Sequence, residues 1–518
     1  MDLKEGIELI DKWAADGQMT PERILARLNE GIKQYSGLNE DEQTELRKNF
    51  DSISTTDEAG TKCVNEATFI SYLDLPPSLA AAGHILYRSI YYLSNVPFHQ
   101  SGPPQSITYD ELVRGLAWLL PERAERFTDA SDDSRARTSA DHRRLIFQSL
   151  ATSYKNVPFD TIEAKQLAAR NAFEIQHGSV RAQFAAVNHD RDGDEMYHDI
   201  LDVLFSTQLI QIGPYAQVTR DSFRPLAKRM HRDVKLHHLR IPREEFKALV
   251  KLLLVSHFAS DGRAKVESHQ LQGLDNAADS VASAFCQNAD VGITWPMFDS
   301  ALTTVAPLLF DSLYRLISTS FLGKIFSDSI TFPPIHNENI LTLPALSQLG
   351  IFLSETVDFE SLRLLHHYSL SNKSTTSTLL HDINAAPDSA ILVISGNLPT
   401  GEKSVFGCYT PFPVQDAAQI QPREQGYWER CLLFQLSPVH DIFRGTVGQQ
   451  GWVVAGKDIR FGTENGASLV LKDGLQGAEF SHKVDGPNGE ETYHATKRRG
   501  NWAVEFEIQK IEVWGEVE

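Results

Sequence analysis

Apolar residues follow two different periods along the chain. From residue 1 to about 325 they recur every three or four positions, as in GHILYRSIYYL, EEFKALVKLLLV and FDSLYRLISTSFL, which predicts amphipathic helices. After the segment 327–340, which contains the helix-breaking pair Pro333–Pro334, short apolar runs such as SAILVIS and CLLFQLS alternate with turns rich in Gly and Asn. The sequence therefore predicts an α+β protein, with an all-α N-terminal half and a β-rich C-terminal domain.

Changes in composition suggest a finer division. Residues 121–144 are strongly charged and carry few bulky apolar groups, which is typical of a mobile surface segment. We expect a helical region at 1–120, a charged linker at 121–144, a second helical region at 145–325, a short linker at 326–340 and the C-terminal domain at 341–518.

One stretch of the C-terminal domain has a helical pattern. In DFESLRLLHHYSL, Asp358 can accept hydrogen bonds from the first turn of a helix, and Phe359, Leu362 and Leu365 share one helical face. We therefore predict a helix here.

The helical half contains a repeated pattern that resembles the EF-hand loop. In such a loop of twelve positions, position 8 is apolar, position 12 carries a carboxylate, and an apolar residue follows. ITYDEL places Ile107 at position 8 and Glu111 at position 12, and IPREEF places Ile241 and Glu245 in the same way. VNEATF and ITWPMF keep the apolar positions and lose the carboxylate. These four loops lack a calcium ligand set, so we predict degenerate EF-hand-like units that are held together by packing.

A fifth loop keeps a full set of oxygen ligands. The stretch NHDRDGDEMYHD has the spacing of an EF-hand loop, with Gly193 at position 6. Its candidate metal ligands are Asn188, Asp190, Asp192, Asp194 and Asp199.

Two departures weaken this candidate site. Glu195 replaces the apolar residue at position 8, and Asp199 is one methylene shorter than the usual Glu at position 12. We expect weak binding of Ca²⁺ or Mg²⁺, with a dissociation constant no tighter than about 10⁻⁵ M for calcium. The alternative is an acidic turn in which Asp192 or Asp194 caps the following helix.

Charge and cysteine usage restrict the class of protein. The net charge of −19 disfavours sequence-independent binding to nucleic acid and to anionic lipid. The four cysteines are scattered without a CxxC pair, which suits a reducing cytosol, and no apolar run is long enough to span a bilayer. Residue 2 is Asp, so no N-myristoylation is expected.

No catalytic motif is convincing. GNLPTGEKS, residues 396–404, approaches a phosphate-binding loop, but Glu402 stands between Gly401 and Lys403 and a strand follows, so we predict a β-hairpin turn. Cys408 and Cys431 have no acid or His at a spacing that marks a nucleophile. We predict that the chain is not an enzyme.

The end of the chain predicts a long bulged strand. In VEFEIQKIEVWG, Val504, Phe506 and Ile508 share one face, and Ile511 and Val513 then take over after a slip of one residue. A β-bulge near Gln509–Lys510 explains the slip.

This strand, together with SVFGCYTPFPV, YWERCLLFQLSP and the predicted helix at Asp358, resembles the TLDc domain. The matching positions are Val405, Phe406 and Gly407, Leu433, Phe434 and Leu436, and Glu512, Val513, Trp514 and Gly515. The resemblance covers about one domain. The helical half is similar to the degenerate EF-hand-like region of two TLDc types, the fungal restriction-of-telomere-capping type and the lysosomal mTOR-associated type.

The resemblance implies a binding function. TLDc proteins are linked to the vacuolar or lysosomal proton-pumping ATPase, whose assembly they modulate, and to oxidative-stress resistance. We therefore expect the peripheral subunits of that ATPase as partners, and a cytoplasmic protein that reaches the vacuole or lysosome through a protein partner. The alternatives are a calcium-responsive EF-hand adaptor and a hydrolase that uses Cys or His of the β-domain.

Overall fold

A computed structural model gives the three-dimensional structure of the chain. The residues that it describes are 2–35, 38–98, 102–121, 123, 138–153, 162, 166–167, 171, 196–209, 218–231, 234–258, 271–286, 291–324, 335, 338–369, 375–384, 386, 389–411, 430–446, 451–472, 474–484 and 491–517.

The chain divides into two compact units by its internal contacts. Unit 1 consists of Met1–Leu249, Asn288–Ser300 and Leu313–Phe326. Unit 2 consists of Val250–Gln287, Ala301–Ser312 and Ser327–Glu518. Unit 2 therefore begins earlier in the chain than the β-rich sequence pattern, and it includes helical residues from Val250 onward.

The helices begin and end where local sequence signals favour it. In α1, for example, Asp2 and Glu5 form a reciprocal capping box, in which each side chain accepts a hydrogen bond from the other residue's backbone N–H. Along the chain, the described helices are first α1 Leu3–Ala15, α2 Pro21–Tyr35, α3 Glu40–Ile53, α4 Glu66–Leu73, α5 Ala80–Ser94, α6 Tyr109–Leu119, α7 Ser139–Leu150, α8 Met196–Ser206, α9 Arg224–Met230 and α10 Arg243–Phe258. They are followed along the chain by α11 Leu274–Phe285, α12 Trp295–Thr304, α13 Asp311–Leu322, α14 Leu343–Leu353 and α15 Thr376–Asn384.

Short strands connect the EF-hand-like loops of unit 1. Strands β1 (Thr55–Thr56), β2 (Lys62–Val64) and β3 (Ile107–Thr108) form one antiparallel sheet, in which Val64 is paired with Ile107. These two residues are the apolar position-8 residues of two predicted loops. The structure thus brings them together as paired EF-hand loops do.

The same pairing occurs between two later loops. Ile241 and Ile293 form an antiparallel bridge, in which the two N–H···O distances are 3.0 and 2.8 Å. Just before it, β5 (Leu239–Arg240) pairs with β4 (Thr152–Ser153). The position-8 residues of four of the five loops therefore lie in backbone pairs, and the fifth loop, which ends at Asp199, lies largely outside the described residues.

Among the described residues, the C-terminal domain contains one antiparallel sheet of ten strands. Its order is β10-β9-β8-β7-β15-β14-β13-β12-β11, and β6 pairs with β15 beside this path. The strands are β6 Leu362–Ser369, β7 Ala390–Asn397, β8 Lys403–Thr410, β9 Leu432–Ser437, β10 Asp441–Arg444, β11 Trp452–Ala455, β12 Asp458–Phe461, β13 Gly466–Lys472, β14 Gly477–Lys483 and β15 Trp502–Glu516.

The long strand β15 makes this sheet fold into a sandwich. Its first part pairs with β14, and its second part pairs with β7 from Glu507 on one edge and with β6 from Lys510 on the other. The two halves of the sheet bury one shared core, in which the rings of Phe406 on β8 and Phe480 on β14 stack with 4.9 Å between their centroids. The predicted α+β class, with N-terminal helices and a C-terminal antiparallel β-domain, is confirmed.

The predicted bulge in β15 is present. The register of β15 against β7 shifts between Ile508 and Lys510. As a result Phe506 and Ile508 on one side of the bulge, and Ile511 and Val513 on the other, all face the same core. The extra residue of the bulge keeps the apolar residues before and after it on the same face of the sheet, which explains the slip of one residue in the sequence pattern.

Two segments differ from their sequence pattern. The predicted helix after Asp358 is wrong, because Leu362–Ser369 is strand β6, which pairs with the second part of β15. Cross-strand hydrogen bonds along β15 outweigh a weak helical spacing of three apolar residues. Helix α7 begins at Ser139, inside the segment 121–144 that we expected to be a linker.

Helices α11 and α14 of unit 2 cover the outer face of the sandwich at β9. Helix α11 packs against β9 and α14, and the Phe352 ring of α14 lies 5.9 Å from the Phe434 ring of β9. The Gln348 side chain of α14 donates to the Leu436 carbonyl at 3.0 Å. None of the described helices has the length and apolar character needed to cross a bilayer.

Candidate functional site

The EVWG segment at the end of β15 contains a buried carboxylate, that of Glu512. Glu512 is fully buried, and its Oε1 accepts a hydrogen bond from the Ile340 N–H at 2.7 Å. Its Oε2 accepts from the Trp514 Nε1–H at 3.0 Å and from the Leu341 N–H at 3.3 Å. These three donors stabilise a charge that burial alone would penalise. The segment thereby fixes the chain just ahead of α14.

The VFG segment on β8 ends at Gly407, a position where the packing leaves no room for a side chain. Phe406 is buried between Phe480 and Phe506 in the sandwich core. The neighbouring Gly407 faces the other side of the sheet, where an added Cβ would lie 2.3 Å from the Leu392 carbonyl oxygen and 2.5 Å from the Phe434 ring. Gly515 is similarly enclosed, by Leu365 and Ala386.

We predict that Gly407→Ala lowers the free energy of unfolding by about 1–3 kcal/mol, because a backbone oxygen cannot move aside to accept the new methyl group. Urea denaturation of the purified chain measures this effect. Gly31→Ala is the control, since no atom from beyond its own stretch of helix α2 lies within 4 Å of its added Cβ. An unchanged midpoint in Gly407→Ala would contradict the close packing.

The signature residues therefore lie in one domain and serve its packing. Phe406, Phe434, Glu512 and Trp514 are buried, with 0–1% of their surface exposed. Gly407 and Gly515 allow close approach at two points of the same sheet. GNLPTGEKS is a hairpin between β7 and β8, with Asn397 paired to Lys403, as predicted.

A second polar cluster of unit 2 was not recognised in the sequence. Asp441 is fully buried at the start of β10, and its Oδ1 lies 2.8 Å from Arg498 Nη2. Its Oδ2 lies 3.4 Å from Arg499 Nη1, which also donates to Gln435 Oε1 at 2.6 Å. The Arg499 guanidinium stacks over the Trp502 ring at 4.2 Å. The adjacent arginines were the available signal, but their carboxylate partner is more than fifty residues upstream.

Two buried histidines of unit 2 are neutral. The pKa of His440 falls to about 4, chiefly because its ring is buried, and its Nε2 lies 2.9 Å from the Val305 carbonyl oxygen. Burial also lowers the pKa of His482. His482 Nδ1 donates to the Gly500 carbonyl at 2.7 Å, and Nε2 accepts from the Thr496 N–H at 2.8 Å. Protonation of Nε2 would remove that acceptor.

We predict that acid destabilises unit 2 through these histidines. A lowered pKa means that the unfolded state binds more protons, so stability is complete above pH 6.5 and falls as the pH drops towards 4. His440 alone contributes about 3 kcal/mol to this loss. Urea midpoints between pH 7.5 and 4.5 should show a shallower fall in His440→Gln, which retains a donor for Val305 but cannot titrate. Identical pH profiles for the two proteins would contradict this assignment.

The thiols are unsuited to nucleophilic catalysis. All four cysteines are buried, and none of them forms a disulfide. Burial raises the pKa of Cys431 to about 12 and raises that of Cys408 well above its usual value. Both groups are therefore protonated at neutral pH, whereas the thiolate is the reactive form.

The candidate metal loop is described only at its C-terminal end. Asn188, Asp190, Asp192 and Asp194 lie outside the described residues. Asp199 is buried in α8, and its Oδ1 lies 2.6 Å from Arg144 Nη2, while Arg144 Nη1 is bound to Asp141 at 2.8 Å. A metal ion that used Asp199 would have to displace this guanidinium.

The other carboxylates at position 12 are also bound by protein groups. Glu111 Oε2 accepts from the Thr108 N–H at 2.7 Å in the capping box of α6, and Glu245 is paired with Arg88. Where Thr68 stands at position 12, its N–H donates to the Asn65 side chain at 2.9 Å. These loops are closed by caps and ion pairs, which supports the prediction of degenerate units. The described residues contain no cluster of three or more His, Cys, Asp or Glu that is suited to a metal ion.

Comparison with known proteins agrees with this geometry. Residues 335–517 match the TLDc domain family. The chain is 26% identical over 450 residues to "Restriction of telomere capping protein 5" of Emericella nidulans, an alignment that spans 78% of this chain and 65% of that protein, just under two thirds of its length. Proteins of the same name in Fusarium vanettenii and Neurospora crassa are 24% and 23% identical, over 91% and 87% of this chain and over 84% and 81% of their own lengths.

The matched range contains the buried Glu512–Trp514 pair, the enclosed Gly407 and the sandwich built around β15. The alignments with the fungal proteins also extend well beyond that range, because they cover most of this chain. Residues 335–517 therefore form a TLDc domain, in a chain that is similar to the fungal restriction-of-telomere-capping proteins.

Proposed function

We propose that this chain is a non-enzymatic regulatory protein that binds the vacuolar or lysosomal proton-pumping ATPase through its TLDc domain and modulates assembly of that pump. The observation that carries the proposal is the TLDc match at residues 335–517, because the resemblance to TLDc proteins implies this partner and a link to oxidative-stress resistance. The partners would be the peripheral subunits of the pump.

The chemistry of unit 2 supports binding over catalysis. Buried Asp441 has both carboxylate oxygens paired with arginines, and buried Glu512 accepts from three N–H donors. The Cys408 and Cys431 thiols are buried and protonated. Groups that are fully used in holding a fold are poor general acids, bases or nucleophiles. This arrangement weighs against the hydrolase alternative.

The proposal places the protein in the cytoplasm and at the vacuolar or lysosomal surface through its protein partner. A net charge of −19 favours a basic protein surface over anionic lipid or DNA. The names of the fungal relatives refer to telomere capping, and for a chain of this charge we propose that any such effect is indirect.

A weak Ca²⁺ or Mg²⁺ site at residues 188–199 is a secondary proposal. We expect calorimetric titration with calcium to give a dissociation constant no tighter than about 10⁻⁵ M, and Asp190→Ala/Asp192→Ala to abolish the heat. Sub-micromolar binding that the double substitution removes would instead favour the calcium-responsive adaptor. No heat in either protein would leave the loop as an acidic helix cap.

An assembly assay tests the proposed function. Vacuolar membranes that carry the assembled pump are incubated with increasing amounts of the full chain and sedimented, and the peripheral subunits are then quantified in both fractions. We expect the distribution to change with dose, and Asp190→Ala/Asp192→Ala to act like the unchanged chain, since these residues lie outside the TLDc domain. A distribution that is unaffected at saturating concentration would contradict a role in assembly.

A further inference from the structure

Unit 1 contains a cavity of about 690 Å³ that the proposed function does not use. It lies beside the C-terminal end of α5, the end of α7, the start of α8 and β5. Its walls are mainly aromatic and aliphatic, with Tyr91, Tyr92, Phe98, Met196, Ile200 and Leu239 as the principal apolar residues. Its volume falls within the range of about 300–1,000 Å³ that is usual for small-molecule sites.

A buried amide on this wall has an unused donor. Gln148 is 1% exposed, and its Oε1 accepts a hydrogen bond from the Tyr92 hydroxyl at 3.0 Å. Gln148 Nε2 has no hydrogen-bond partner among the described residues. A buried amide donor without a partner is unfavourable, so it is well suited to be completed by a ligand.

A second donor lines the same cavity. Arg88 Nη2 donates to the Leu150 carbonyl at 3.2 Å and is paired with the Glu245 carboxylate. Arg88 Nε, by contrast, is buried and has no partner in the described part of the chain. Both unused groups are N–H donors, so the complementary ligand atom is an oxygen acceptor.

We propose that this cavity binds a small amphipathic molecule whose carboxylate or carbonyl oxygen accepts from Gln148 Nε2 and Arg88 Nε, while its apolar body occupies the aromatic walls. Glu245 already balances the charge of Arg88, so a neutral carbonyl and a carboxylate share the required chemistry. Met196 and Ile200 belong to the helix that follows the candidate metal loop. The site therefore gives the degenerate EF-hand-like region a ligand-binding role that needs no calcium.

Isothermal titration of the full chain with three ten-carbon probes tests the proposal. Decanoate carries a carboxylate, decanamide carries a neutral carbonyl, and decyltrimethylammonium has the same tail without an acceptor. We expect saturable binding of decanoate, decanamide or both, and binding at least about tenfold weaker for decyltrimethylammonium, because one lost polar contact in a buried site has an effect of about this size. Which of the first two binds more tightly identifies the natural head group.

Two variants test whether the probes bind in the cavity. Gln148→Glu keeps the acceptor for Tyr92 and removes the amide donor, so it should weaken decanoate binding at least about tenfold. Ala151→Phe adds a ring to the wall and should abolish binding of both acceptor probes. Gln43→Glu, the same chemical change on helix α3, is the matched control and should leave binding unchanged. Thermal melting checks that each variant is folded. If Gln148→Glu does not fold, binding to Ala151→Phe alone tests the proposal.

Three results would overturn the proposal. These are the absence of heat with both acceptor probes, equal binding of decyltrimethylammonium, and unchanged binding in a folded Ala151→Phe variant. The last two would mean adsorption of the apolar tail elsewhere on the chain. None of these outcomes depends on the proton pump, so failure here and failure of the proposed function are independent.

Discussion

A fragment that starts at Ser327 is expected to fold poorly, whereas one that starts at Val250 should be soluble and melt cooperatively. Helix α11 belongs to unit 2, where Leu274, Val281 and Phe285 are buried. Without α11, the apolar surface that packs against these three side chains is exposed to water, a loss comparable with their own burial, which is about 5–9 kcal/mol. That loss is comparable with the whole stability of an ordinary domain, which is about 5–15 kcal/mol.

Hydrogen bonds within unit 2 lead to the same expectation. The Ser280 hydroxyl of α11 donates to the Leu436 carbonyl, and the Ser280 carbonyl accepts from the His440 N–H at 3.1 Å. The Arg498 side chain donates to the Ala284 carbonyl. The shorter fragment 327–518 contains β9, His440 and Arg498 but none of these helical partners. The longer fragment 250–518 contains both sides of each contact.

Circular dichroism and size-exclusion chromatography of the two fragments measure the difference. In the fragment 250–518, residues 288–300 and 313–326 lack their unit 1 neighbours, so the comparison concerns solubility and cooperative melting more than the midpoint itself. A fragment 327–518 that melts as cooperatively as the longer one, at the same temperature, would contradict the assignment of α11 to this unit.

Trp514→Ala is expected to lower the free energy of unfolding by about 3–5 kcal/mol. The Trp514 side chain is only 1% exposed, and its removal leaves a large void beside β6 and β7. It also deprives Glu512 Oε2 of its 3.0 Å hydrogen bond from the indole N–H. Urea denaturation, followed by circular dichroism at 222 nm, measures the loss.

Two further variants separate the causes of this loss. Trp514→Phe retains most of the ring and removes the N–H, so it should cost about 1–3 kcal/mol, the usual effect of an unmet hydrogen bond at a buried charge. Trp452→Ala on strand β11 is the matched control, and its half-buried ring at the edge of the sheet should cost less than Trp514. An unchanged midpoint in Trp514→Ala would mean that this indole is exposed.

Features that depend on local spacing could be predicted from the sequence. The slip of one residue between Ile508 and Ile511 predicted the bulge of β15, since alternation on a strand has only two phases. The EF-hand-like spacing predicted which apolar residues, Val64 with Ile107 and Ile241 with Ile293, form backbone pairs. Intruding Glu402 similarly indicated a hairpin in place of a phosphate-binding loop.

Features that depend on contacts with residues far away in the chain could not be predicted from the sequence. Three apolar residues after Asp358 fit a helix or a strand, and the free edge of β15 determines that they form β6. Asp199 has the spacing of a metal ligand, but Arg144, 55 residues upstream, binds its carboxylate. Helix α11 has the period of the N-terminal half but packs with β9 in unit 2. Each outcome depends on a contact that spacing along the chain does not encode.

The proposed docking of the TLDc domain on the proton pump is tested most directly by a binding titration. The labelled full chain is titrated with the purified peripheral sector of a vacuolar proton-pumping ATPase, and the titration is repeated with fragment 250–518, which contains all of unit 2. We expect saturable binding of the full chain and an affinity within about threefold for the fragment, because the TLDc domain carries the contact. No saturable binding of the full chain, or binding that the folded fragment loses, would contradict the central claim.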